Sequence, residues 1–286
     1  MRVGVIDVGS NTTRLLVASA PSGGAAGGLV PIDKAKVRLS LGEEIERFGS
    51  VSGVHVAAAA KAVRRMAEIA RREGVGSLDV FLTAPGRQAA NSDELVAALS
   101  RAAGVRARVL SKEEEGTLAY RGAVLTADIA LPERIAVCDI GGASTEIAVG
   151  SPGSDPDWIE SIDLGSVRLT TRGRDLRAEA EAAFATVAPP EVGAALAVGG
   201  SARAARRLVG ADLGPAELAE AIAIAERSSV RQLGRQYDID RARAHIVPAG
   251  LALLAEVQAL LGVPLHVCSG GIREGAVLAS LETLAA

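Results

Sequence analysis

Aromatic side chains make up only 2% of this 286-residue chain. Stacking platforms for single-stranded nucleic acid are therefore poorly supplied. Excess positive charge is missing too: the formal charge is −3, which argues against a generally cationic nucleic-acid binder. Lysine is scarce, and Lys34, Lys36, Lys61 and Lys112 are the only lysines among 31 basic residues. That bias reads as codon usage rather than function. Cysteine is limited to Cys138 and Cys268, each at the end of a β-like apolar run and without metal-type spacing, so both are expected to be reduced core thiols. No long uninterrupted apolar run exists. The most apolar late stretch, 246 to 268, is broken by Pro248, Glu256, Gln258, Pro264 and His266, as suits a buried helix and strand rather than a membrane span. Arg2 is followed by four small or apolar residues before Asp7, too few for a secretory h-region. The expectation is a cytoplasmic protein that binds neither nucleic acid nor membrane.

Apolar residues nonetheless form 49% of the chain, at a mean hydropathy of +0.27, enough for a sizeable core built from Ala, Val, Leu and Ile. β-like runs fall at 2–7, 14–20, 29–39, 78–83, 105–110, 134–139, 145–150, 158–163, 195–199 and 264–268. Helical periodicity lies between many of them. The stretch 54–73 follows a Ser52 cap and precedes Gly74, and 92–104 starts on a Ser92 cap and stops on Gly104. Strands alternating with helices, plus two hairpins, predict α/β layers with mixed sheets. The Gly/Pro/Ser-rich stretches at 21–28 and 151–156 read as surface turns.

The organising fact is a repeat. VIDVGSNTTR (5–14) and VCDIGGASTE (137–146) align so that Asp7 falls on Asp139, Gly9 on Gly141, Thr13 on Thr145 and Arg14 on Glu146. Each copy opens a half made of strand, acidic hairpin, two further strands, then helices and more strands. Helical pattern fails near 125–133, which predicts domains at 1–128 and 129–286 with a ligand cleft between them. A tight turn with glycines supplying positive φ would explain one copy. Two copies point to chemistry: Gly and Ser/Thr let backbone N–H groups face a phosphate, and an adjacent aspartate holds Mg²⁺ or a water beside it.

DVGSNTTRLLV and DIGGASTEIAVG resemble the two phosphate loops of the actin, sugar kinase and heat-shock ATPase superfamily. Ser10-Asn11 and Ser144-Thr145-Glu146 are more narrowly similar to the exopolyphosphatase / guanosine pentaphosphate phosphohydrolase family. KVRLSLG (36–42), TAPGRQAANSDEL (83–95), LSKEEEGTLAYRGA (110–123), LGSVRLT (164–170), AVGGSARAARRL (197–208), IVPAGLALL (246–254) and SGGIREGAVL (269–278) continue that likeness along the whole chain, in its short two-domain form.

The resemblance implies an α/β protein of two ribonuclease-H-like, actin-like ATPase domains. It also implies release of orthophosphate from the end of inorganic polyphosphate. Its general base matches Glu115, which the Ser111/Glu114 capping box places in a first helical turn after a strand. Asp139 and Glu146 match the acidic partners that orient water and bind Mg²⁺ or Mn²⁺, with Asp7 the first loop's aspartate. Phosphate contacts are implied for Gly9, Ser10, Asn11, Thr12, Gly141, Gly142, Ala143, Ser144 and Thr145, with Arg87 as a clamp. Arg168 and Arg273 are candidates for a basic track. Three positions depart from the family pattern: Ala84-Pro85-Gly86 before the arginine, Ala143 for a third glycine, and Ser201 for a threonine. None removes a group with an implied catalytic role. A homodimer is expected. Rival readings are guanosine pentaphosphate as the substrate, with its guanosine turned toward 197–208, and a polyphosphate- or alarmone-binding module with little turnover. A small-molecule kinase is the weaker rival, since Glu115 with Ser-Thr-Glu is a hydrolase-like set.

Overall fold

The computed structural model describes residues 1–21, 28–173 and 175–285. The turn expected at 21–28 lies, from 22 to 27, outside the described residues. Those described pack as two units, residues 1–125 with 272–286 and residues 126–271.

The first unit starts with β1 (Arg2–Val8), β2 (Thr12–Ser19) and β3 (Val30–Arg38), then α1 (Leu41–Phe48) and α2 (Gly53–Arg72). It continues through β4 (Ser77–Leu82), α3 (Ala84–Gln88), α4 (Ser92–Ala103), β5 (Ala107–Val109) and α5 (Lys112–Leu125). The second unit holds β6 (Ile135–Ile140), β7 (Thr145–Gly150), β8 (Trp158–Ile162), α6 (Ser166–Arg172), α7 (Leu176–Phe184), β9 (Ala194–Val198) and α8 (Gly199–Val209). It then adds β10 (Asp212–Leu213), α9 (Pro215–Arg227), α10 (Val230–Tyr237), α11 (Arg241–Ala244), α12 (Val247–Leu261) and β11 (Leu265–Val267). The last helix, α13 (Ile272–Ala285), returns to the first unit.

The repeat is a repeat of topology. One sheet runs β3-β2-β1-β4-β5 and the other β10-β11-β9-β6-β7-β8, so β1 and β6 occupy the same place in their own sheets. Each pairs antiparallel with the next strand and parallel with a later one. The two acidic hairpins therefore belong to different sheets, as the repeat predicts. Strand β10, only two residues long, caps the second sheet's edge and carried too little pattern to be read from sequence.

Local rules explain the helices well. In α2 the buried residues Val56, Ala59, Val63, Met66, Ala67 and Ala70 recur at helical spacing, and the Ser52 side chain accepts from the His55 N–H. At α4 the expectation is corrected by one residue. Asn91 occupies the cap position and Ser92 is the first helical residue, its hydroxyl donating instead to the Gly86 carbonyl. Gly104 does end that helix, at φ 71°.

Placing the final helix in the second half is also corrected by packing. Ile272, Ala276, Val277 and Leu281 of α13 join Val3, Val5, Leu16, Phe81, Leu110 and Leu118 in one buried cluster. A Cβ at Gly275 would lie 2.0 Å from the Leu118 carbonyl oxygen, so only glycine admits this approach to α5. Chain order gave no hint of it, because the stripe that seats α13 complements residues more than 150 positions earlier.

Both cysteines are free and buried, and burial pushes the Cys268 thiol up to about 11, so both are neutral core thiols as expected. Among the described residues no helix is long and apolar enough to cross a membrane.

Residues 126–134, which open the second unit, are held to it through His266. Its Nδ1 lies 2.6 Å from Asp212 Oδ1 and its Nε2 2.7 Å from Asp128 Oδ1. Both ring nitrogens can donate only in the imidazolium. Burial pulls the His266 pKa down, but the hydrogen bonds to Asp212 and Asp128 outweigh it and hold it above the ordinary 6.5. A raised folded-state pKa stabilises fully below the unfolded value and loses that effect as pH rises through the folded one. His266→Gln should therefore lower the melting temperature more at pH 6 than at pH 9. A difference independent of pH in parallel melts would contradict this.

Candidate active site

The first loop follows β1. The Gly9 N–H donates to the Thr12 carbonyl at 3.3 Å, closing the hairpin, while Asp7 faces Arg14 across it. The loop's carbonyls are tied down from behind. Asn11 O accepts from the N–H groups of Leu39 and Ser40 at 3.1 and 3.2 Å, and Ser10 O from Gly42 N–H at 2.7 Å. A Cβ at Gly42 would sit 2.7 Å from that of Ser10, so glycine is required for the approach. With its carbonyls turned toward the start of α1, the loop's Ser10 and Asn11 N–H groups find no acceptor among the described residues. Asn11 Oδ1 and Thr13 Oγ1 are buried without a hydrogen-bond partner there.

The second loop repeats the device. Gly141 N–H donates to Ser144 O at 3.0 Å. Gly141 O accepts from Ser166 N–H at 3.0 Å, and Gly142 O from the N–H groups of Val167 and Arg168 at 2.8 and 3.0 Å. Gly165 at the start of α6 lies so close that a Cβ there would be 2.5 Å from the Gly142 carbonyl carbon. Ala143 and Ser144 are buried in this arrangement, at 4% and 2% exposure, and alanine fits where the family pattern has a third glycine. Thr145 departs from expectation. It is fully buried and its hydroxyl donates to Leu164 O at 2.7 Å, so in this structure it fastens the loop. The N–H groups of Gly9 and Gly141 are likewise committed to closing their hairpins.

Asp139 and Glu146 are register partners on adjacent strands, so their side chains share a face. Glu146 is 2% exposed and accepts from the Ser161 hydroxyl at 3.0 Å. Asp139 Oδ1 lies against Gly199, the first residue of α8, where a Cβ would come within 2.3 Å. A helix N-terminus there favours the carboxylate. Like charges directly opposite on a sheet repel, and a hard divalent cation with oxygen ligands relieves that. Among the described residues no group of three or more His, Cys, Asp or Glu is placed to hold a metal. Two carboxylates fit Mg²⁺, which keeps several waters and takes substrate phosphate as ligand.

Glu115 and Arg87 come together in the first unit. Ser111 Oγ accepts from Glu114 N–H at 3.1 Å and Glu114 Oε2 from Ser111 N–H at 2.8 Å, completing the expected capping box. Glu113 is held below the usual carboxylate range by its own backbone N–H and by the Ser111 hydroxyl. Those two acids serve the helix end. Glu115 is turned inward, 7% exposed, with Oε2 accepting from Arg87 Nη1 at 2.6 Å. Arg87 Nη1 also donates to Leu110 O at 2.9 Å, while its Nε and Nη2 are buried without a hydrogen-bond partner among the described residues. Arg87 sits in α3 rather than in a loop. Pro85 takes an early helical position, and Gly86 is needed because a Cβ would lie 2.8 Å from Val109 Cγ2. The Ala-Pro-Gly departure thus builds a compact turn that still presents the arginine. Asp7 lies at the end of β1, before the first loop, and Arg87 and Glu115 follow β4 and β5; the three strands are parallel neighbours, so all lie at one carboxyl edge. Asp139 and Gly199 hold the same places after β6 and β9.

The Ppx/GppA phosphatase family model matches residues 17–191. The chain belongs to that family. It is 30% identical to exopolyphosphatase 1 of Mycobacterium tuberculosis over 99% of this chain and 89% of that protein. Among solved structures, the Aquifex aeolicus Ppx/GppA family member superposes with a TM-score of 0.82 at 20% identity, covering 99% of this chain and 98% of that one. An exopolyphosphatase from Cytophaga hutchinsonii gives 0.83 at 19%, covering 99% and 98%. These structures fix the fold as that of two-domain Ppx/GppA proteins.

In this Ppx/GppA chain the sequence reading missed the backing of both loops. A signal existed: Leu41-Gly42 and Leu164-Gly165 form the same dipeptide after the third strand of each half. Arg243 was also missed. A Cβ at Gly200 would lie 2.1 Å from Arg243 Nη1, so this guanidinium covers the turn next to Asp139. Arg168, a track candidate, donates to Asp163 O at 2.7 Å, and Arg273 lies 3.8 Å from Glu274.

Proposed function

We propose that this protein is an exopolyphosphatase, a hydrolase that releases orthophosphate from the end of inorganic polyphosphate. The observation that carries the reading is the twice-built loop whose carbonyls are fastened from behind, leaving N–H donors for phosphoryl oxygens. The name of the mycobacterial relative, similar over nearly the whole chain, supports the same substrate class.

In this reading Ser10, Asn11 and Thr12 in the first unit, and Gly142, Ala143 and Ser144 in the second, offer their donors to phosphoryl oxygens. Arg87 adds its Nε and Nη2 donors, in the planar fork that suits phosphate. Asp139 and Glu146 would hold Mg²⁺ or Mn²⁺, with Asp7 as a further candidate ligand. When bound, the metal supplies charge neutralisation on the phosphoryl group. Glu115, held in place by Arg87, takes the proton from the water attacking in line, and the shortened chain leaves from the opposite side. Positioning and electrostatics carry most of the rate. A cytoplasmic homodimer belongs to the same reading.

Polyphosphate is favoured over guanosine pentaphosphate by Arg243. Its guanidinium covers Gly200 in the 197–208 stretch where a guanosine would turn. The test compares orthophosphate release from long polyphosphate, tripolyphosphate, guanosine pentaphosphate and ATP, with Mg²⁺ and then with EDTA. Release should be fastest from polyphosphate and vanish with EDTA. Faster release from guanosine pentaphosphate would overturn the substrate, and EDTA-resistant release the metal.

A further inference from the structure

Helix α10 and the turn into α11 present a cluster outside the groups assigned above. Val230, Arg231, Gly234 and Arg235, with Arg241, line a cavity of about 450 Å³. Arg231 and Arg235 are one helical turn apart on one face, with Gly234 between them packed toward the Ile239 carbonyl. All three arginines are exposed, and among the described residues none has a carboxylate partner. The nearby Asp238 is engaged elsewhere, 3.2 Å from Arg207. Three cations thus share one concavity, and among the described residues no ion pair is found for any of them, an arrangement that favours an entering anion.

A second observation gives the cluster a direction. Arg243 is two residues beyond Arg241 on the same short helix, and its guanidinium lies on Gly200. The preceding Gly199 is packed on the Asp139 carboxylate. Arg241 thus lines the cavity while Arg243, on the same helix, covers the turn beside Asp139, both within the second unit.

We propose that the Arg231/Arg235/Arg241 cavity is a distal subsite for a linear phosphate polyanion, holding units of the chain remote from the one being cleaved. The inference rests on the polyphosphate reading above. Guanidinium groups suit it because their flat forks pair with phosphoryl oxygens two at a time. In this proposal a short anion engages the second loop alone and a long one the cavity as well. The subsite thus discriminates by chain length.

The experiment uses the full chain and the triple variant Arg231→Gln, Arg235→Gln, Arg241→Gln, whose exposed positions leave the core untouched. Direct binding of long polyphosphate is measured across a salt series, and kcat/KM is measured on long polyphosphate and on tripolyphosphate. The variant should bind the long chain about tenfold or more weakly, with the slope of log K against log salt reduced by roughly 2, at ~0.7 per phosphate neutralised by analogy with single-stranded nucleic acid. At about 0.15 M salt tripolyphosphate kcat/KM should stay within about twofold, since exposed charges more than roughly 8 Å apart are largely screened. Unchanged long-chain affinity and salt slope would overturn the subsite. An equal loss on tripolyphosphate would overturn it as well, by placing the arginines at the reacting end or in the fold. Failure of the function reading is distinct: the parent would release no phosphate from either substrate, whatever its binding.

Discussion

Glu115→Gln should lower kcat on polyphosphate by about 10²–10⁴-fold, the range typical of a lost general base, while binding survives. The substitution keeps side-chain length, and its amide oxygen still accepts from Arg87 Nη1, which meets Glu115 Oε2 at 2.6 Å. The helix stays capped because the capping box belongs to Ser111 and Glu114. Binding should tighten slightly, as one negative charge leaves the neighbourhood of a polyanion. Glu114→Gln is the control. That residue accepts from Ser111 N–H and from Arg108 Nη1 on an exposed surface, so kcat should stay within about twofold and melting shift slightly. Steady-state kinetics alongside equilibrium binding separates the outcomes. Equal turnover in parent and Glu115→Gln would move the base elsewhere. Equal losses in Glu115→Gln and Glu114→Gln would make the helix end, not proton transfer, the cause.

Gly165→Ala should collapse activity by ~10²-fold, because displacing a substrate-positioning group by about 1 Å costs that much. Gly165 has φ −130° and ψ 175°, a conformation any residue adopts, so backbone strain is not the issue. The added Cβ would instead stand 2.5 Å from the Gly142 carbonyl carbon, 2.6 Å from the Ala143 nitrogen and 2.7 Å from the Gly142 oxygen. Backbone on both sides must give way. The bonds from Ser166, Val167 and Arg168 to the loop carbonyls would lengthen, and the phosphate-facing N–H groups would turn with them. Overpacking of this kind also destabilises by about 1–3 kcal/mol. Gly53→Ala, where no atom lies within 4 Å of the new Cβ, should leave activity intact and stabilise α2 slightly. A Gly165→Ala protein with parental kcat/KM would show that the loop's position does not set the rate.

The parts of the site legible in sequence were those written in local rules. The Ser111/Glu114 box, the strand periodicities and each copy of the acidic hairpin depend on residues a few positions apart, and each appears close to where expected. What escaped depends on contacts between distant segments. The Gly165 approach to Gly142, the Gly199 contact with Asp139 and the Gly275 seat on α5 are close backbone or carboxylate approaches. A glycine's identity alone does not distinguish such a contact from a flexible turn. The engagement of Thr145 was hidden for a related reason: its hydroxyl suits phosphate by type, and Leu164 O, nineteen residues away, accepts from it. The Arg87–Glu115 pair joins two residues whose separate roles the family pattern suggested, and only the neighbouring places of β4 and β5 show that they meet.

The most direct test of the central claim, hydrolysis of a terminal phosphoanhydride by water, is an oxygen-isotope experiment. Long polyphosphate, Mg²⁺ and the protein are incubated in ¹⁸O-water, and the orthophosphate released is analysed by mass spectrometry. The account predicts a single labelled oxygen in each released orthophosphate, and release slowed in Glu115→Gln by the factor seen in kcat. Absence of release, or phosphoryl groups recovered on an acceptor other than water, would contradict it.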